Sequence, residues 1–368
     1  MVIWLLIIVS EEDKMNDVTI MSAFQFGSVL DGNLYGITTI GGLLVSYSIE
    51  KNNIVIVDCD NEIYGTWAYS IRTCICNDNL YVAANRGNEI LEYSFVNRKF
   101  KHYFLNNKVD RDQCFIGILN YNNYVYVFNR YSNDVIRINS ITGDLKYIPL
   151  KTGISANKKS GIATNERYYF LYETGELFCF NLSGENVEYF GCIHEVKNVR
   201  RLEMIDGILH VLMRHGDIWA YDIGNNNTDQ LVKKFSNEYD AGSFVKTDYG
   251  FVILPRLSNE ILVANEGIIK VLSIVPDSYP SLRYMDKGRG LFEEWIEKDA
   301  GYLFLTKCLG DFLWVSKVSP CISWIKPFCP PESEFRKYVL KDEGIIKEGD
   351  VWKYKIGLED YIDYIIKL

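Results

Sequence analysis

Three observations predict an all-β chain folded as a seven-bladed β-propeller of four-stranded antiparallel blades. A unit of two apolar runs recurs seven times along the 368 residues, the runs are rich in β-branched and aromatic residues, and a turn carrying Gly or Asn separates them. The paired runs lie at 33–38 with 43–48, 79–84 with 90–94, 124–128 with 135–139, and 168–172 with 177–181. They continue at 208–212 with 218–222, 250–254 with 261–264, and 302–306 with 312–316. Taking Leu43, Ile90, Val135, Leu177, Ile218, Ile261 and Phe312 as equivalent gives spacings of 47, 45, 42, 41, 43 and 51 residues.

Each element of the unit has a local reason. The two central runs with their short turn read as a hairpin. A run with small residues precedes each hairpin, as at 70–75, 115–119 and 161–163, and suits a crowded strand near an axis where blades converge. A fourth, more polar run follows, as at 100–105 and 145–150, and suits an exposed outer edge. Four strands every 41–51 residues is the repeat of a propeller blade. The longer last spacing leaves six blades as the alternative.

Composition agrees. Hydrophobic residues at 48% and charged residues at 24% exclude disorder and collagen-like repeats. Length alone suggests two or three domains, whereas the repeat gathers 1–329 into one ring and leaves 330–368 as an extension. Nine cysteines, an odd number without a framework of spacings, are expected to be reduced and buried in a cytoplasmic protein. The apolar opening 1–9 is too short to span a bilayer and lacks the flanks of a signal peptide. It is expected to be a strand, with 1–10 available to complete the last blade. At the other end, Leu358, Tyr361, Ile362, Ile365 and Ile366 share one face of an expected amphipathic helix.

The third-strand-and-turn segment 132–144 resembles that of kelch, NHL and YVTN-type propellers, and Gly41-Gly42 is similar to the kelch double glycine in a single copy. The chain looks closest to uncharacterised cytoplasmic bacterial propeller proteins over about residues 18–325. No Trp-Asp dipeptide ends any repeat, so the WD40 pattern is a poor match. The resemblance implies a propeller and supplies no catalytic residues.

Motifs for chemistry are sparse. Nucleophile elbows, Walker loops and dinucleotide glycine patterns are absent from the sequence. His210 and His215 flank one hairpin turn without a third ligand, so no metal or other cofactor is expected. The acidic stretch 58–62 starts like a calcium loop but lacks its glycine and its closing glutamate, and reads as a solvated turn.

Aligning the repeats exposes one charge pattern. The tip leading out of the second strand carries Thr39, Arg86, Arg130, Glu173, Arg214, Arg256 and Lys307, so five of seven tips are basic in a chain of net charge −9. The loops entering the innermost strands share that face and add Arg111, Lys158, Lys159, Arg200, Arg201 and Arg289, while Arg72 lies on an innermost strand. Turns on the opposite face carry Asp78, Glu166, Asp206, Asp248 and Asp299. The expected site is therefore a basic funnel formed by Arg72, Arg86, Arg130, Arg200, Arg214, Arg256 and Lys307. Guanidinium forks grip carboxylates well, so the expected partner is an acidic protein or a small anionic or carbohydrate ligand. Nucleic acid and membranes are not expected, since net negative charge repels a long polyanion. Non-catalytic binding is the leading function. The alternative is a lyase or hydrolase on an acidic sugar, with Tyr69, Asp112, Glu173 or His215 as acid or base.

Overall fold

The computed structural model describes residues 6–8, 19–21, 24–38, 43–60, 69–84, 89–105, 115–194, 196–222, 227–233, 235–256, 260–274, 292–298, 300–306 and 312–325. Seven four-stranded antiparallel sheets follow one another in chain order. Blade 1 spans 24–59, blade 2 69–104, blade 3 115–149 and blade 4 158–192. Blade 5 spans 199–232, blade 6 241–274 and blade 7 292–325. Within each blade the strands, here called a to d, pair in sequence order. The a strands of consecutive blades lie side by side and form the inner ring.

Seven apolar clusters hold the ring, one at each blade interface. The cluster between blades 3 and 4 buries Phe128, Tyr168, Phe170, Tyr172, Phe178 and Phe180. The ring closes without a shared strand: Leu303 and Phe312 of blade 7 pack on Leu34, Val45 and Tyr47 of blade 1. The Tyr47 and Phe312 rings meet edge-on at 4.5 Å. Blade 7 takes all four strands from 292–325, and Leu6–Ile8 pairs instead with Thr19–Met21 in a separate two-stranded sheet. The rest of the expected closing strand, 1–5 and 9–10, lies outside the described residues. The expected C-terminal helix lies outside the described residues.

Small residues on the a strands make room for aromatic rings. The Tyr168 ring lies against both Gly117 of blade 3 and Gly161 of blade 4, at positions where added Cβ atoms would collide with it. Its hydroxyl donates to the Ile116 carbonyl at 2.8 Å, tying the b strand of blade 4 to the a strand of blade 3. Turn chemistry is as local. Asp31-Gly32, Asn77-Asp78 and Asp206-Gly207 all have positive φ at both residues, the two-residue hairpin turn that selects Asn, Asp and Gly. Thiols divide: Cys74, Cys76 and Cys179 are buried as expected, but Cys192 and Cys321 are exposed.

Gly161→Ala should destabilise the protein by about 1–3 kcal/mol through overpacking against Tyr168. Tyr168→Phe should cost about 1 kcal/mol for its lost hydrogen bond. Urea unfolding checks both, and a neutral Gly161→Ala would contradict the wedge.

Candidate functional site

The b–c tips and the d–a connections meet on one face, which is the mouth. Backbone hydrogen bonds weld them. Within a blade, the tip amides of Glu173, Arg214 and Arg256 donate to the carbonyls of Asn157, Asn198 and Asp240, at 2.8, 2.7 and 2.7 Å. Between blades, the amides of Lys158 and Ala241 donate to the carbonyls of Arg130 and Arg214, at 2.9 and 2.8 Å. Every tip so bonded is held at a set place on the ring.

The a strands add a second device. Each shifts register near its mouth end, and in blades 3 to 7 the shift brackets a single residue: Ile116, Lys159, Arg200, Gly242 and Glu293. Bulges re-aim side chains at sheet ends. Lys159 and Arg200 use theirs alike, each reaching the connection into the following blade. Lys159 Nζ donates to the Lys197 carbonyl at 2.8 Å, and Arg200 approaches Asp240 at 3.0 and 3.2 Å.

Three of the expected site residues converge. The Asp240 carboxylate, only 6% exposed, lies 3.0 Å from Arg200, 3.6 Å from Arg256 and 4.0 Å from Arg214. Arg130 pairs instead with Glu173 at 2.8 Å. Lys159 lies within electrostatic reach of both groups. Burial pushes its ammonium pKa down to about 8, with Arg200 and Arg130 lowering it further against Glu173. Burial also lowers Arg200, and Arg256 and Arg214 add to that against the pull of Asp240. The cluster thus sets five cations against two carboxylates over blades 3 to 6. Arg72 lies on Tyr69–Cys76, inside the register shift of blade 2. Arg86 and Lys307 lie outside the described residues.

Two features escape the sequence reading. The mouth is not uniformly basic: the c strands open on Glu89, Asp134, Glu176 and Glu260, with Asp217 just before Ile218–Asp222, so acids encircle the inner cations. A residue-by-residue alignment of the c strands would have shown this ring. The stretch 58–62 is also no solvated turn where it is described. Asp60 is 4% exposed and pairs with His102 at 2.9 Å, while Glu89 takes the other ring nitrogen at 2.9 Å. Nothing in the sequence pattern joins these three residues.

Lys158 is structural. It is 1% exposed and donates to the carbonyls of Asn129, at 3.2 Å, and Ser132. Its pKa falls to about 8 through burial, opposed by Asp134. His210 and His215 do not form a pair: the His210 ring lies tilted against Phe251, whereas His215 Nδ1 lies 3.2 Å from the Tyr239 carbonyl. Among the described residues no group of His, Cys, Asp and Glu is placed to hold a metal ion.

No family model matches the sequence, and no curated protein matches it. Solved structures do. A catalytically inactive virginiamycin B lyase from Staphylococcus aureus, crystallised with quinupristin, aligns with TM-score 0.60 at 13% identity over 80% of this chain and 95% of that one. The computationally designed Ika8 protein aligns with TM-score 0.54 at 8% identity, over 84% and 90% of the two chains. PorZ, a surface component of the Porphyromonas gingivalis type-IX secretion system, aligns with TM-score 0.55 at 13% identity, over 83% of this chain and 38% of its own. At such identities the likeness establishes a shared propeller fold alone.

Asp240→Ala should cost about 2–3 kcal/mol, because it leaves buried guanidinium charge uncompensated, with a discount for the exposure of Arg214. Urea unfolding would show it. A loss near zero would mean that the arginines do not depend on this carboxylate.

Proposed function

We propose that this chain is a non-catalytic binding or scaffold propeller that recognises an anionic ligand, or an acidic part of a partner, at the inner annulus of its mouth. One observation carries the reading: the five cations outnumber the carboxylates among them, and the inter-blade welds and bulges fix them in place. Preorganised cations bind an anion without first being ordered. The acidic c-strand starts confine the positive region to the axis, which disfavours a wide polyanion such as duplex nucleic acid.

One observation favours a second reading, an enzyme acting on an acidic sugar. A carbonyl only accepts, so His215 donates from Nδ1 to Tyr239 and keeps Nε2 as a proton acceptor, one residue from Arg214. Turnover of oligogalacturonate, followed by absorbance of the unsaturated product, would favour it over simple binding.

Citrate should raise the melting temperature of the wild type, as any ligand of the native state does. Lys159→Met/Arg214→Gln should lose that rise. The sign of the pH dependence follows from Lys159: with a free-state pKa of about 8 it is mostly protonated at pH 7 and mostly neutral at pH 9. Binding that uses its charge should weaken by about tenfold between those values. An equal effect of citrate on wild type and variant would remove the proposed site.

A further inference from the structure

Resting on that reading, the geometry points to a class of ligand: a small 2-hydroxy carboxylate. Its carboxylate lies on the Arg214 guanidinium, and the hydroxyl on the neighbouring carbon donates to His215 Nε2. Both residues stand on one turn. The Gly216 amide donates to the Met213 carbonyl at 3.1 Å, Gly216 has φ 89°, and Arg214 and His215 are the two central residues. Three more backbone bonds clamp this turn. The Arg214 amide donates to Asn198 at 2.7 Å, and the Arg214 and His215 carbonyls accept from Ala241 and Phe235 at 2.8 and 3.0 Å. The two side chains therefore leave from fixed, adjacent points.

They also reach adjacent points. His215 Nδ1 lies 3.2 Å from the Tyr239 carbonyl, and the Arg214 guanidinium lies 4.0 Å from the carboxylate of the next residue, Asp240. The two heads thus sit side by side over one short stretch of the connection into blade 6. A carbonyl only accepts, so Nδ1 carries the proton and the neutral ring offers Nε2 as an acceptor. Arg214 is 51% exposed and comes nearest to Asp240 through Nε, which leaves its terminal nitrogens for a ligand. Among the described residues, neither head has another polar partner. Guanidinium forks take a carboxylate in two bonds. Arg200, 3.0 Å from Asp240, counters the charge that would otherwise repel that carboxylate. A hydroxyl supplies the proton that Nε2 lacks without adding charge, whereas an ammonium there would meet Arg200 and Arg214.

The turn itself does not demand these residues. The tip of blade 4 repeats it: Gly175, at φ 110°, donates to the Tyr172 carbonyl at 3.0 Å, and the Glu173 amide donates to Asn157 as Arg214 does to Asn198. Its central residues, Glu173 and Thr174, are engaged within the protein. Glu173 bonds to Arg130 and Asn157, and Thr174 bonds to Glu176. The same turn therefore holds an internally bonded pair in blade 4 and an open donor and acceptor in blade 5.

The test is calorimetry on the full chain with citrate and tricarballylate, at about pH 8 where both are fully ionised. The two share their three carboxylates, and citrate alone has the hydroxyl. Citrate should bind at least about fivefold more tightly, the effect of one hydrogen bond. Arg214→Gln should weaken both ligands. His215→Phe should erase the preference and leave tricarballylate binding unchanged, with circular dichroism and melting near wild type. In the wild type, the nitrogen resonance of His215 Nε2 should shift with citrate and stay in place with tricarballylate. A preference that survives His215→Phe, or a resonance that moves equally with both ligands, would overturn the assignment to His215. Equal affinities in the wild type would overturn recognition of the hydroxyl while sparing the anion-binding reading. Failure of both ligands to bind would overturn both.

Discussion

The mouth depends on one constraint, the backbone hydrogen bond made between blades. The tip of one blade offers its carbonyl to the first amide of the next, as Arg130 does to Lys158 and Arg214 to Ala241. A hairpin tip on an isolated sheet would be among the more mobile parts of a chain. Welded on both sides, these tips become part of the inner ring, and the side chains they carry inherit its spacing. The bulges of the a strands act at the same level and aim Lys159 and Arg200 toward the following blade. Charge at the mouth is thus placed by main-chain geometry, and the choice of residue type is superimposed on it.

That constraint is affordable to the fold because burial between blades supplies the cohesion. Each interface has its own apolar cluster, and the pair Leu303 and Phe312 on blade 7 closes the circle against blade 1 by packing alone. Where two a strands would otherwise stand apart, the Tyr168 ring fills the space that Gly117 and Gly161 leave. Interfaces of this kind let loop residues vary without loss of the ring.

Much of this was legible in the sequence. The seven repeats follow from alternation and turn residues, both of which are local. The small residues before each hairpin pointed to a crowded inner strand, although the need to admit a particular ring, Tyr168, is a tertiary fact. The basic tips were legible because tips sit at fixed offsets from the hairpin. The Asp240 counter-ion was not, since it lies in a connection of irregular length and its three arginines come from two blades. Likewise, His102 meets Glu89 across the paired c and d strands of blade 2, but meets Asp60 only where the connection from blade 1 reaches that blade. Turn geometry also qualifies the acidic opposite face: Asp31, Asp78 and Asp206 occupy positive-φ positions that favour Asp for conformational reasons alone.

Among the described residues, cations cluster at the mouth of blades 3 to 6, beside the acids that open the c strands. A direct measurement would place a nitroxide on each face, at Thr174→Cys in the mouth and Asn165→Cys opposite, with exposed Cys192 and Cys321 replaced by Ser. Collision rates with an anionic and a neutral relaxing agent then report the local potential. The account predicts that the anionic agent is enriched at position 174 and depleted at position 165, and that Lys159→Met/Arg214→Gln removes the enrichment. Equal rates at the two positions, or enrichment that survives the double substitution, would contradict it.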